Sequence, residues 1–208
     1  MTQTILFDVD GVLIHGYHAR EELRLYWDEN IEKDLGVNRE GFCALFTMPL
    51  WHDIVTGRKD LFTELSEYLP LCGYHDDPQL VIDYWLAHDS NINHDLIDKI
   101  KILKSSPDVK LYIATNQEHN RAKYLMDVLG FGEHFIDIFH SAKIGYLKPV
   151  QDYFINVHGL LGNPIPPPIF FDDTPAVVQG ANDFGWTAYE FLSVEDLYKD
   201  DFVASVLR

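Results

Sequence analysis

Apolar positions along the chain fall into two patterns. Residues 5–7, 111–114, 135–139, 169–171 and 186–189 are short apolar runs rich in aromatic and branched side chains, and each predicts a buried strand. Elsewhere apolar residues recur every three or four positions, which predicts helices. Over 19–35 the helical positions are Leu23, Tyr26, Trp27, Ile31 and Leu35, with Gly36 as the stop. A second helix follows Asn38, carries Phe42, Leu45 and Phe46, and ends before Pro49. Residues 49–58 fit a loop with or without a short helix. Leu61, Phe62, Leu65 and Leu69 predict a helix over 60–69 closed by Pro70, and Leu80, Val81, Tyr84 and Trp85 predict one over 78–88. Beyond Asn93, helices carrying Leu96, Ile97, Ile100 and Leu103, then 122–129, 150–161, 175–184 and 194–207, alternate with the remaining strands.

Strands alternating with helices predict an α/β protein with a mainly parallel sheet covered on both faces. The stretch 15–90 is helical throughout and interrupts that alternation, so it reads as an inserted all-helical cap. The core is then 1–14 plus 91–208.

Composition changes this picture little. With 47% hydrophobic residues, the 208-residue chain can bury a substantial core. A formal net charge of −17 argues against nucleic acid and anionic membrane as partners, since both select basic surfaces. No apolar run has membrane-spanning length, and no basic-then-apolar leader opens the chain. Cys43 and Cys72 match no metal-binding spacing and read as small buried residues. Their scarcity points to a reducing, cytoplasmic setting.

The candidate chemistry sits where strands end. Asp8 and Asp10 are two apart at the end of the first strand, followed by Gly11, so both carboxylates project to one side. Such a pair is costly unless a cation or hydrogen bonds compensate it. Thr115-Asn116 follows the second strand, Lys148 lies beyond the third, and Asp172-Asp173 ends the fourth. Open α/β sheets bind ligands beyond the carboxyl ends of their strands.

Taken together, Asp8-Val9-Asp10-Gly11-Val12, a strand ending in Thr115-Asn116, Lys148-Pro149, and Asp172-Asp173 after Phe170-Phe171 resemble the four motifs of the haloacid dehalogenase-like hydrolase superfamily. Their spacing resembles that of members with a helical cap between the first two motifs. The resemblance implies a Rossmann-like sheet in strand order 5-4-1-2-3. It also implies roles. Asp8 is the nucleophile that forms an aspartyl-phosphate. Asp10 is the general acid and then the general base, with a raised pKa. Mg²⁺ is held by Asp8, the Asp10 carbonyl and Asp173, with Asp172 in support. Thr115, with the N–H groups of Asn116 and of the residues around Gly11, receives phosphoryl oxygens, and Lys148 neutralises the carboxylates and the phosphate. One departure concerns the metal. Val177 stands where many members carry a polar residue, which weakens the expected support for metal binding.

Dehalogenating members lack the second aspartate, because halide leaves without a proton; Asp10 therefore favours phosphoryl transfer. The expected activity is a Mg²⁺-dependent phosphomonoesterase. A phosphomutase of the same fold and a non-catalytic binding protein are the alternatives. In the cap, His15, Trp51, His52 and Arg58 are the candidate readers of the leaving group, set against plain roles as loop, core or solvated residues. The cap has no cluster of basic residues for a second phosphate. The expected substrate is a small, singly phosphorylated metabolite, either a sugar phosphate or a mononucleotide. The sequence sets no oligomeric state.

Overall fold

In a computed structural model describing residues 2–208, the first strand, β1 (Gln3–Phe7), lies at the centre of the sheet and is buried along its whole length. Its neighbours are β2 (Val109–Thr115), then β3 (Ile138–His140), on one side, and β4 (Ile169–Asp172), then β5 (Thr187–Glu190), on the other. All pairings are parallel. The order β3-β2-β1-β4-β5 is the expected 5-4-1-2-3 read from the opposite edge.

Side chains two apart on a strand share a face, and this divides the core. Ile5, Phe7, Ile169 and Phe171 pack with Leu96, Ile100, Leu125 and Val203 on one side. Leu6 and Phe170 pack with Phe154, Val157, Val177 and Trp186 on the other. A third apolar cluster draws all its buried members from residues 31–86, including Phe42, Leu45, Leu65, Val81 and Trp85. The chain leaves and re-enters the sheet layer side by side. Ile14 bridges Ile92, His15 N–H donates to the Asn91 carbonyl at 2.7 Å, and Asn93 N–H donates to the Leu13 carbonyl at 2.9 Å.

Four expectations need correction. The helix expected over 19–35 is a single turn at Glu21–Leu23 and a short helix at Ile31–Leu35. Leu23 and Tyr26 are 46% and 51% exposed, so the periodic positions share no buried face. The backbone between is taken by other contacts: Leu25 N–H bonds the Gly16 carbonyl, and Ala19 N–H bonds Asp173. Tertiary contacts override a weak helical preference here. Second, β3 begins at Ile138, because Phe131–Glu133 forms a helical turn that turns Phe131 and Phe135 into the core. β5 is likewise displaced by one residue, with Trp186 packed before the strand starts. Third, the C-terminal helix is broken at Asp200, whose carboxylate caps Asp201–Leu207 by accepting from Val203 N–H at 3.0 Å. Fourth, Phe62 and Leu80 are exposed rather than turned inward, and Cys43 is only half-buried, with its thiol donating to Asp28 at 2.7 Å.

Residues 49–58 contain the helix Pro49–Val55. Among the described residues no helix is long and apolar enough to cross a membrane.

Candidate active site

The parallel register that pairs Phe7 with Phe171 brings two strand ends together. Asp8 N–H donates to the Phe171 carbonyl at 2.9 Å, so Asp8 emerges beside Asp172 and Asp173. Carboxylate oxygens from these three buried residues lie within 4.8 Å of one another. The Lys148 ammonium is inserted among them, 2.9 Å from Asp8 Oδ1 and 2.6 Å from Asp172 Oδ2, and it also donates to the Ala114 carbonyl at 2.9 Å. Burial pulls the pKa of this lysine down; Asp172 and Asp8 outweigh that and raise it. Asp172 and Asp173 are pushed upward, chiefly by burial, with Asp8 adding repulsion. One ammonium against three buried carboxylates leaves a surplus of negative charge. An all-oxygen set of this kind fits a hard divalent cation.

Asp10 belongs to the next shell of contacts. Gln117 Nε2 donates to its Oδ2 at 2.6 Å, and Arg121 Nη2 lies 3.4 Å from Oδ1. Burial raises its pKa to about 7; Arg121 opposes this, while Asp89 and Asp8 add to it. Its side chain keeps 27% of its surface open, enough to meet a ligand. Arg121 itself is 1% exposed. Its Nη2 bonds both the Asp89 carbonyl, at 2.8 Å, and the Asp89 carboxylate, at 3.0 Å, and its guanidinium lies 5.5 Å from the centre of the Trp85 ring. Glu118 caps the helix His119–Asp127 by accepting from Asn120 and Arg121 N–H, which fixes the turn that aims Arg121.

Thr115 ends β2 fully buried and lines a cavity of about 570 Å³ together with Asp8, Asp10, Asn116 and Asp173. The Asn116 carboxamide clasps the lysine-bearing loop, accepting from Lys148 N–H at 2.8 Å and donating to the Lys148 carbonyl at 3.0 Å. Gly11 has φ +75°, and a Cβ there would stand 2.5 Å from Asp173 Oδ2, so both the turn and the close approach require glycine.

A sequence model of the haloacid dehalogenase-like hydrolases matches residues 2–185. The chain belongs to this family. A putative HAD-hydrolase, YfnB, of Bacillus subtilis is 31% identical over 162 residues, 73% of this chain and 67% of that one. Among solved structures, a predicted HAD-like hydrolase from Porphyromonas gingivalis aligns with TM-score 0.70 at 25% identity, covering 100% of this chain and 98% of its own. At 19% identity the likeness is one of fold alone. A Bacteroides thetaiotaomicron HAD enzyme in complex with magnesium and inorganic phosphate has TM-score 0.70, with 91% and 94% of the two chains covered. An L-2-haloacid dehalogenase from Xanthobacter autotrophicus has TM-score 0.64, with 97% and 83% covered.

In this hydrolase the carboxylates, Thr115, Asn116, Lys148 and Gly11 thus converge at one end of the sheet. The candidate readers from the helical stretch divide. Trp51 lines the cavity. His52 and Arg58 do not; both are exposed, and they pair with each other and with Asp53. His15 is exposed and faces a separate depression bounded by Asn93, Asp95 and Glu195. None of these three polar side chains lines the cavity that holds the carboxylates.

Other residues contact the acidic pair. His18 lies 3.4 Å from Asp173 Oδ2, which also accepts from Ala19 N–H at 2.6 Å. Val177 packs behind the sheet against the Phe170 cluster, and support for the acidic pair comes instead from Thr174. Its N–H donates to Asp172 Oδ1 at 2.9 Å and its hydroxyl to Asp173 Oδ1 at 3.0 Å. Of the residues the sequence reading missed, Arg121 carried a signal: it shares with Ala122 and Leu125 the stripe that the helix buries, and an arginine in an apolar stripe requires a buried anion. Thr174, Gln117 and His18 carried none beyond adjacency to a motif.

Proposed function

We propose that this hydrolase is a Mg²⁺-dependent phosphomonoesterase working through an aspartyl-phosphate. The observation that carries the reading is Asp10, held by Gln117 and Arg121 beside the same cavity as Asp8, with a pKa lifted to about 7. A carboxyl poised near neutrality can give a proton to an alkoxide, which a departing halide does not need. Asp8 attacks phosphorus while Asp10 protonates the leaving oxygen. Asp10, now a carboxylate, then takes a proton from the water that attacks the acyl-phosphate, restoring Asp8 and releasing inorganic phosphate. In this reading Thr115, which lines the cavity, and Lys148, which keeps its charge beside Asp8, receive the phosphoryl oxygens. Asp8 and Asp173, with Asp172 beside them, would hold the Mg²⁺, which supplies positive charge to the transferring group. The helical stretch 15–90 serves in this reading as a cap that excludes water and meets the leaving group.

The test is phosphate release over a panel of phosphate monoesters, with Mg²⁺ and with chelator. Release is expected with Mg²⁺ and loss with chelator, and Asp8→Asn should abolish turnover with the circular dichroism spectrum unchanged. Equal release under chelation, or an active Asp8→Asn protein, contradicts the mechanism.

A further inference from the structure

The cavity that begins at Asp8, Asp10 and Thr115 runs on to a wall of aromatic rings, Trp27, Phe46, Trp51 and Trp85. Trp85 is buried, while the other three are only half-buried. Behind them lies the apolar cluster of the helical stretch, so the wall is backed by packed side chains. No two of these rings stack face to face. Phe46 meets Trp51 at 77° with centres 4.8 Å apart, Trp27 meets Phe46 at 89°, and Trp27 meets Trp85 at 39°. Each edge-on contact covers one face of one ring, and the three half-buried rings keep part of their surface on the cavity, where another flat ring can meet it.

Several polar groups on this side are already engaged, while the Tyr17 and Tyr26 hydroxyls lie at the lining with no protein partner among the described residues. Asp28 accepts from Arg39 at 2.9 and 3.1 Å and from the Cys43 thiol at 2.7 Å. Arg24 donates to the His18 carbonyl and lies over Tyr17, and the Thr47 hydroxyl donates to the Ala44 carbonyl. A hydroxyl-rich leaving group would give up its water against the aromatic wall, which is unfavourable for each hydroxyl left unpaired there. The wall itself keeps two donors. Among the described residues, no protein acceptor takes the indole N–H of Trp27 or of Trp51, whereas those of Trp85 and Trp186 are bonded to Asp89 and His158. A ring nitrogen or ring carbonyl would satisfy them.

Resting on the phosphomonoesterase reading, we infer that the substrate's alcohol carries a flat heteroaromatic group that stacks on Trp27, Phe46 and Trp51. A cavity of about 570 Å³ has room for a phosphate and a group of that size. A nucleobase, a pyridine-type ring and a flavin share this chemistry, and the test separates them. Phosphate release with Mg²⁺ is compared for adenosine, uridine, pyridoxal and flavin 5′-monophosphates against glucose 6-phosphate and glycerol phosphate. The best aromatic ester should exceed the sugar and glycerol esters in kcat/KM by roughly tenfold or more, as stacking on aromatic side chains does elsewhere. Trp51→Leu should raise KM for aromatic esters alone, and Trp51→Phe should retain most of the preference. In the Asp8→Asn protein, titration with the aromatic ester should quench indole fluorescence, and glycerol phosphate should not. Sugar esters cleaved as well as aromatic ones, or no quenching by any aromatic ester, would overturn the inference. Quenching without phosphate release from any ester would uphold the aromatic site and remove the phosphomonoesterase reading.

Discussion

Asp10 titrates between two opposed influences, and Arg121 is the one that can be removed. Burial, Asp89 and Asp8 push its pKa up, and Arg121 pulls it down, leaving it at about 7. The acid form is needed for leaving-group protonation, so kcat/KM should fall as pH rises through about 7. Arg121→Met deletes this opposing charge, so that alkaline limb should move to higher pH. The same change removes the counter-charge of the Asp89 carboxylate, which Arg121 pairs at 3.0 Å, leaving it only the Trp85 indole N–H as a side-chain donor among the described residues. Breaking a buried pair from one side costs about 3–5 kcal/mol, and a urea titration should show a loss of that order. At this scale, Asp8, Asp10, Thr115, Lys148, Asp172 and Asp173 were legible because each follows a strand, and parallel strands deliver their ends to one place. His52 and Arg58 lie outside the cavity lining, and no sequence signal shows this, because imidazole and basic side chains beside a loop look the same whether they face a cavity or solvent. Only packing separates the two cases.

Elements join at His119 and His140, the first residue of the helix His119–Asp127 and the last of β3. Their rings approach at 3.1 Å, Nδ1 to Nε2. Burial, with His119 beside it, lowers the His140 pKa to about 4. The unfolded chain takes up this proton near pH 6.5 and the folded one only near 4, so the unfolded state binds more protons between them. Stability from this site is therefore present above about pH 6.5 and lost as pH falls towards 4. Urea midpoints measured across that window should fall for the wild type and fall less steeply for His140→Gln; parallel slopes would exclude His140 as the cause. Strands and helices with strong apolar periodicity were read well from the sequence: the helices at Pro78–His88 and Pro175–Phe184 begin and end where the pattern places them. Residues 19–30 were not, because their backbone is ordered by groups distant in sequence, such as Asp173, and no local pattern records that.

The whole molecule carries a formal charge of −17, and its proposed substrates are anions. Lys148 and a bound divalent cation offset the three carboxylates only inside the site. Approach from solvent is therefore opposed by the protein's field. Raising ionic strength from about 10 mM to about 150 mM shortens the screening length from roughly 30 Å to roughly 8 Å. At subsaturating substrate, kcat/KM should rise over that range while kcat stays constant. A fall would show that attraction by the site dominates encounter.

The central place of β1 in the sheet has a consequence for a chain emerging from the ribosome. Its first strand has no partner until Val109–Thr115 follows, and only one until Ile169–Asp172 arrives. Asp8 waits for Lys148, 140 positions later, and then for Asp172. A nascent chain halted before residue 169 is inert by construction, and its unpaired apolar leading segment is the stretch most exposed to aggregation or chaperone capture.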